Sequence, residues 1–169
     1  MKSQYNSEIN VLEKIEEIAE LFKEHNPKVF SQADKGYDWL EEADSKCIVM
    51  ENPYGGESIE IGVGDMEEFT LFFAGGHAHF GSDLYDYGRL LACVRNILQG
   101  AECAGRLMDS AGKVYGAGFF EKEKVTRLPE EVFQSVFRIP LYADQLLRIG
   151  YRVEYTFWNP MDNQTVVGE

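Results

Sequence analysis

Along residues 7–25 apolar side chains recur at helical spacing. Ile9, Leu12, Ile15, Ala19 and Phe22 form a stripe that Val11, Ile18 and Leu21 widen. This predicts an amphipathic helix, capped by Asn6 or Ser7 and ended before Pro27. From residue 46 the period changes to two. Lys46–Met50, residues 57–63 and Glu68–Ala74 read as strands, with Ile59, Ile61 and Val63 on one face of the second and Phe69, Leu71 and Phe73 on one face of the third. Gly75-Gly76 suits a two-residue hairpin turn into a short return strand, His77–Phe80. Helical spacing returns over 83–98, where Leu84, Tyr87, Leu91, Val94 and Leu98 line one face behind a Ser82 or Asp83 cap.

A second hairpin follows: Cys103–Met108, the turn Asp109-Ser110-Ala111-Gly112, and Val114–Phe120. Glu121–Arg127 reads as a charged loop, and Pro129 opens a short helix to about Val136. Residues 150–158 alternate as a closing strand, and 159–169 read as a flexible tail. The order predicts an α+β fold, with a largely antiparallel sheet of about six strands and an N-terminal and a central helix packed on one face. At 169 residues the chain is expected to be one domain, 1–169. Within it, 1–45 form an acidic helix and loop, and 46–158 a sheet with its central helix.

Charge adds a second pattern. Residues 1–68 hold 17 acidic and 6 basic side chains, a net of −11, whereas 69–169 carry a net of −2. Such a field repels nucleic acid and anionic membranes and attracts a basic protein partner. The loop 31–45 concentrates the signal. Asp34, Asp38, Glu41, Glu42 and Asp44 surround Tyr37, Trp39 and Leu40. Aromatics among carboxylates suit a binding loop, and they equally suit a loop anchored to the core. Partner binding is assigned to Asp34, Asp38, Trp39, Glu41, Glu42 and Asp44. No apolar run reaches the ~18–20 residues that cross a bilayer, and Met1-Lys2-Ser3-Gln4-Tyr5-Asn6 lacks a signal-peptide core, so a cytoplasmic location is expected. Cys47, Cys93 and Cys103 have no zinc-ligand spacing and read as small buried hydrophobes.

His77 and His79 are the main candidates for chemistry. The hairpin projects both from one face, roughly 6–7 Å apart at Cα, with Thr70, Phe72 and Ala74. With Asp83 they define a polar site. They suit metal if a third ligand exists, for which Asp83, Asp86 and His25 are candidates. The simpler reading has them hydrogen-bonded across the sheet and to Asp83 and Asp86 at the helix start. Ser82 lacks a Gly-x-Ser-x-Gly frame, so no catalytic residue is assigned. There is no P-loop, and Gly116-Ala117-Gly118 lacks the helix of a dinucleotide fingerprint and marks a bulge or close packing, so no cofactor is expected.

The segment Phe72-Phe73-Ala74-Gly75-Gly76-His77-Ala78-His79-Phe80, with Asp83 and the helix to Leu98, resembles small acidic α+β immunity-type proteins of bacterial polymorphic toxin systems. The likeness extends through the hairpin turn Asp109-Ser110-Ala111-Gly112-Lys113, over roughly residues 46–121, although Gly75-Gly76 stands where bulkier residues are often found. It implies a non-enzymatic binding protein that neutralises a basic toxin and carries no catalytic residues. The alternative is a metal-binding protein or metal-dependent enzyme centred on His77 and His79. A homodimer using Tyr85, Tyr87 or Trp158 is a third arrangement.

Overall fold

The computed structural model describes residues 8–125 and 140–168. The fold is α+β, with two antiparallel sheets where the sequence predicts one. The chain divides into two compact units, the first built within Met1–Pro53, Glu57–Phe73 and Ala78–Arg95, the second within Tyr54–Gly56, Ala74–His77 and Asn96–Glu169.

In the first unit β1 (Lys28–Ser31), β2 (Lys46–Met50), β3 (Ile59–Val63), β4 (Phe69–Phe73) and β5 (Gly76–Phe80) lie in chain order. The β1 strand falls in a stretch read from sequence as helix and loop. It is short, and Val29 is left exposed on this edge strand. Alternation decides the inner face. Ile59 pairs with Phe73, Ile61 with Leu71 and Val63 with Phe69, and all six are buried. Ile48 and Met50 of β2 extend this face.

Helices cover it. The predicted N-terminal helix is broken into a 3-10 turn at Leu12–Lys14, α1 (Ile15–Leu21) and a second 3-10 turn at Lys23–His25, which closes on a left-handed Asn26 before Pro27. No side-chain cap holds the start of α1, and the predicted caps Asn6 and Ser7 lie outside the described residues. The central helix α2 (Leu84–Leu98) matches its predicted span. Its Tyr87 ring lies 5.5 Å from that of Phe69 and its hydroxyl donates to Glu17 at 3.0 Å, which ties α2 to both β4 and α1. Arg95 reaches over the Phe22 ring.

The second unit contains β6 (Glu102–Asp109), β7 (Val114–Glu121), β8 (Tyr151–Thr156) and β9 (Gln164–Gly168), ordered β7-β6-β8-β9. The β6–β7 hairpin shifts register between Leu107 and Met108, opposite Gly116 and Val114, so a bulge falls beside the glycines that predict it. Asp109 builds the turn by accepting from the Ala111 and Lys113 amides. Cys103, Leu107, Val125, Leu146, Val153, Tyr155 and Phe157 form the core of this unit, with α3 (Lys122–Val125) and α4 (Pro140–Ile149) supplying Val125 and Leu146. The start of the expected charged loop is thus helical, and α4 has no counterpart in the sequence reading. The expected helix over 129–136 lies outside the described residues. The stretch expected as a flexible tail carries secondary structure. A 3-10 turn at Pro160–Asp162, capped by Asn159, leads into β9, which pairs with β8 from Tyr151↔Gly168 to Tyr155↔Gln164. Among the described residues no helix is long and apolar enough to cross a membrane.

Candidate functional site

Alternation also gives the first sheet a second face, bearing Phe30, Cys47, Val49, Glu60, Gly62, Thr70 and Phe72. Among the described residues, no helix of the first unit supplies the apolar cluster on it. The irregular segment 32–44, here called the strap, does. Leu40 is fully buried against Cys47 and Val49, with Phe30 and Tyr37 packed alongside. The Tyr37 ring stacks on Phe30, centroids 4.5 Å apart and nearly parallel. Trp39 meets Phe72 edge-on at 5.7 Å. The aromatics of the loop are therefore anchors, and Trp39 still shows 42% of its surface.

Polar contacts fix the strap's ends. The Asp34 carboxylate accepts the Ser31 amide at 2.7 Å and the Ser31 hydroxyl at 3.0 Å, and these bonds hold its pKa below the usual carboxylate range. Gln32 donates to the Leu40 carbonyl at 2.8 Å. Asp65, from the turn between β3 and β4, accepts the Glu41 and Glu42 amides at 3.2 Å each. With its apolar side chains turned inward, the strap presents Asp34, Asp38, Glu41, Glu42 and Asp44 outward, all exposed. Among the described residues none of the five forms an ion pair. The structure thus brings the predicted partner-binding residues onto one segment, and it separates their roles. Asp34 shapes the turn, Trp39 anchors, and the other four carboxylates are displayed.

Next to the strap lies a cavity of about 340 Å³ lined by Glu8, Asn10, Glu42, Gly64, Glu67 and Ser82 among others. It shares Glu42 with the strap and adds two carboxylates that sequence reading did not group with it. Its wall is an unusual turn. Gly64 has φ +109°, and a Cβ there would lie 2.6 Å from a Leu12 methyl and 3.0 Å from Ser45 Oγ, so both backbone and space demand glycine. Met66 and Glu67 also take positive φ, +58° and +57°, which leaves Met66 78% exposed. The Gly64-Asp65 turn is legible in the sequence. The convergence of Glu8 and Glu67 on Glu42 is not, because it needs three distant segments to meet.

The histidine site differs from expectation in its partners. The turn uses Ala74-Gly75, with φ +49° and +80°, and Gly76 already belongs to β5. Moving a two-residue turn by one position shifts the pairing by two, so the faces hold while the neighbour changes from Phe72 to Thr70. His79 Nδ1 lies 2.6 Å from Glu68 Oε1 and 3.2 Å from Thr70 Oγ1. The expected carboxylates are engaged elsewhere. Asp83 accepts the Asp86 amide at 2.8 Å as the cap of α2, and Asp86 accepts from the Gly81 amide and Arg89. His77 is exposed on β5. His25, a candidate third ligand, has Glu24 within 3.5 Å. Among the described residues no group of three or more His, Cys, Asp or Glu side chains is arranged to hold a metal.

Cys47 and Cys103 are buried, and burial pushes both thiols up to about 12, so neither is a thiolate near neutral pH. Of the aromatic contacts expected for a homodimer, Tyr87 and Trp158 are buried, which leaves Tyr85 exposed. The chain matches no protein-family model, no curated protein and no solved structure.

Proposed function

We propose that the protein is a non-enzymatic binding protein whose acidic strap docks a basic protein partner, in the manner of an immunity protein masking a cationic toxin. One observation carries the reading. The strap spends its apolar residues on the sheet and holds its carboxylates outward without ion pairs among the described residues. Carboxylates held this way keep their charge for a partner, and a fixed backbone lowers the ordering cost of association. The cavity rimmed by Glu8, Glu42 and Glu67 lies beside the exposed Met66. It offers a seat for a basic side chain next to an apolar contact. The competing metal reading has the Glu68–His79 pair to build on.

The test is calorimetric titration against a basic toxin domain encoded beside this chain's own gene. Binding should weaken with added salt. Neutralising Asp38, Glu41, Glu42 and Asp44 together, with Asp34 kept to preserve the turn, should weaken it about tenfold or more. Unchanged affinity in that fourfold variant, or no binding at all, would overturn the proposal.

A further inference from the structure

We propose that closure of the strap over the second face of the first sheet is coupled to protonation of Glu60, so that the acidic surface is held most firmly when Glu60 is neutral. Glu60 lies on β3 between Val49 of β2 and Phe72 of β4, among apolar side chains that the strap helps to enclose. It is half-buried, and the Cys47 thiol lies 3.9 Å from its Oε2. A thiol is a weak donor and compensates little of the cost of drying an ionised carboxylate. Among the described residues no ion pair reaches Glu60, while Lys28, the nearest cation on β1, is held by Glu51 at 2.7 Å.

The groups around it point the same way. From β2, Cys47 stays a thiol, and from the strap, Tyr37 has its pKa raised by burial, so neither changes charge in the carboxylate range. Asp34 of the strap and Glu51 after β2 are acids, and an ionised Glu60 adds a like charge to theirs. Lys46 of β2 acts on Asp34. Glu68 and His79 sit further along the same face, bound to each other. Burial pushes the Glu60 carboxyl above its ordinary range. Lifting Tyr37 and Leu40 away from Cys47 and Val49 would let more water reach it and reduce that penalty. Protons therefore bind the closed strap more tightly than the open one, and by linkage they favour closure. Burial and contact at Glu60 do not depend on a partner. The consequence for docking rests on the function proposed above.

Amide hydrogen exchange in the free protein tests the coupling. After correction for intrinsic rates, protection at Leu40, Glu41 and Glu42 should fall severalfold as pH rises from the ordinary carboxylate range to neutrality and above, while β3 and β4 stay unchanged. The Glu60→Gln variant should be flat and highly protected across that range. His79→Gln, a control for the histidine further along the same face, should keep the wild-type dependence. Pairing Leu40→Ala with a carboxyl NMR titration gives a second readout, in which the Glu60 pKa returns to the ordinary range as the strap opens. Strap protection independent of pH, a pH dependence that survives Glu60→Gln, or a Glu60 pKa unmoved by Leu40→Ala would each overturn the coupling, whatever becomes of the partner.

Discussion

The two faces of the first sheet are covered in opposite ways. On the inner face, Phe69, Leu71 and Phe73 meet Ile59, Ile61 and Val63 under helices, and α1 and α2 satisfy their own backbones. On the second face an irregular strap lies over a half-buried carboxyl, a thiol and two aromatic pairs. Helices make a close, largely apolar cover, in which the Tyr87 hydroxyl is satisfied by Glu17. A strap must tie down its backbone piecemeal, here through Asp34, Gln32 and Asp65, and so its closure is open to adjustment. One face suits stability, and the other suits display.

Truncation should separate the faces. Leu71→Ala opens a cavity under rigid helices and should cost about 3–4 kcal/mol. Leu40→Ala removes an equally buried leucine, but the strap can lift from the sheet without disturbing the helical face, so the loss should be nearer about 2 kcal/mol. Urea unfolding of both variants decides it, and equal losses would mean that the strap is as rigid as the helices. Trp39→Ala is smaller still, about 1 kcal/mol, because its ring is partly exposed and contributes mainly the edge-on contact with Phe72.

Acidity sharpens the contrast. On the helical side Lys14 and Tyr87 bond to Glu17 and lower its pKa, with Lys14 the larger influence. A lowered carboxylate gives stability that is present above its unfolded pKa and lost as pH falls through the folded value. Glu60 is raised, so stability declines as pH climbs from the unfolded value through the folded one. Glu17→Gln should therefore flatten the acid limb of a stability–pH curve and leave the neutral region's slope alone. A Glu17→Gln protein that loses stability in acid as steeply as the wild type would show that the bond network at Tyr87 carries no linkage.

Periodicity made much of the first unit readable. Strands β2 to β4, helix α2 and the β6–β7 hairpin fall within a residue or two of their predicted ends, because period and turn signals are local. The buried face of α2 is rotated from the expected one: Tyr87, Leu90, Val94 and Ile97 are buried, and Leu84 is exposed. What failed had weak or borrowed patterns. The four-residue β1 is too short to show alternation and exists through its pairing with β2. The strand β9 carries Thr165 and Val167 exposed, so its signal lies in its ladder with β8. The hairpin turn moved by one residue because local glycine chemistry favours Gly75-Gly76, whereas in the fold Thr70 meets His79 side chain to side chain and Ala74 accepts positive φ.

By itself the sequence determined the α+β class, the inner face of the first sheet, the capped central helix and the acidic bias of the first 68 residues. These follow from local periods and from charge counts, which need no contact between distant segments. Tertiary structure alone decided that the sheet is two sheets, that the loop of aromatics and acids is anchored by the former and displays the latter, and that Glu8 and Glu67 join Glu42. It also gave His79 to Glu68 rather than to Asp83, which caps α2. Each of these depends on which distant residues compete for the same partner, and only the folded chain settles that competition.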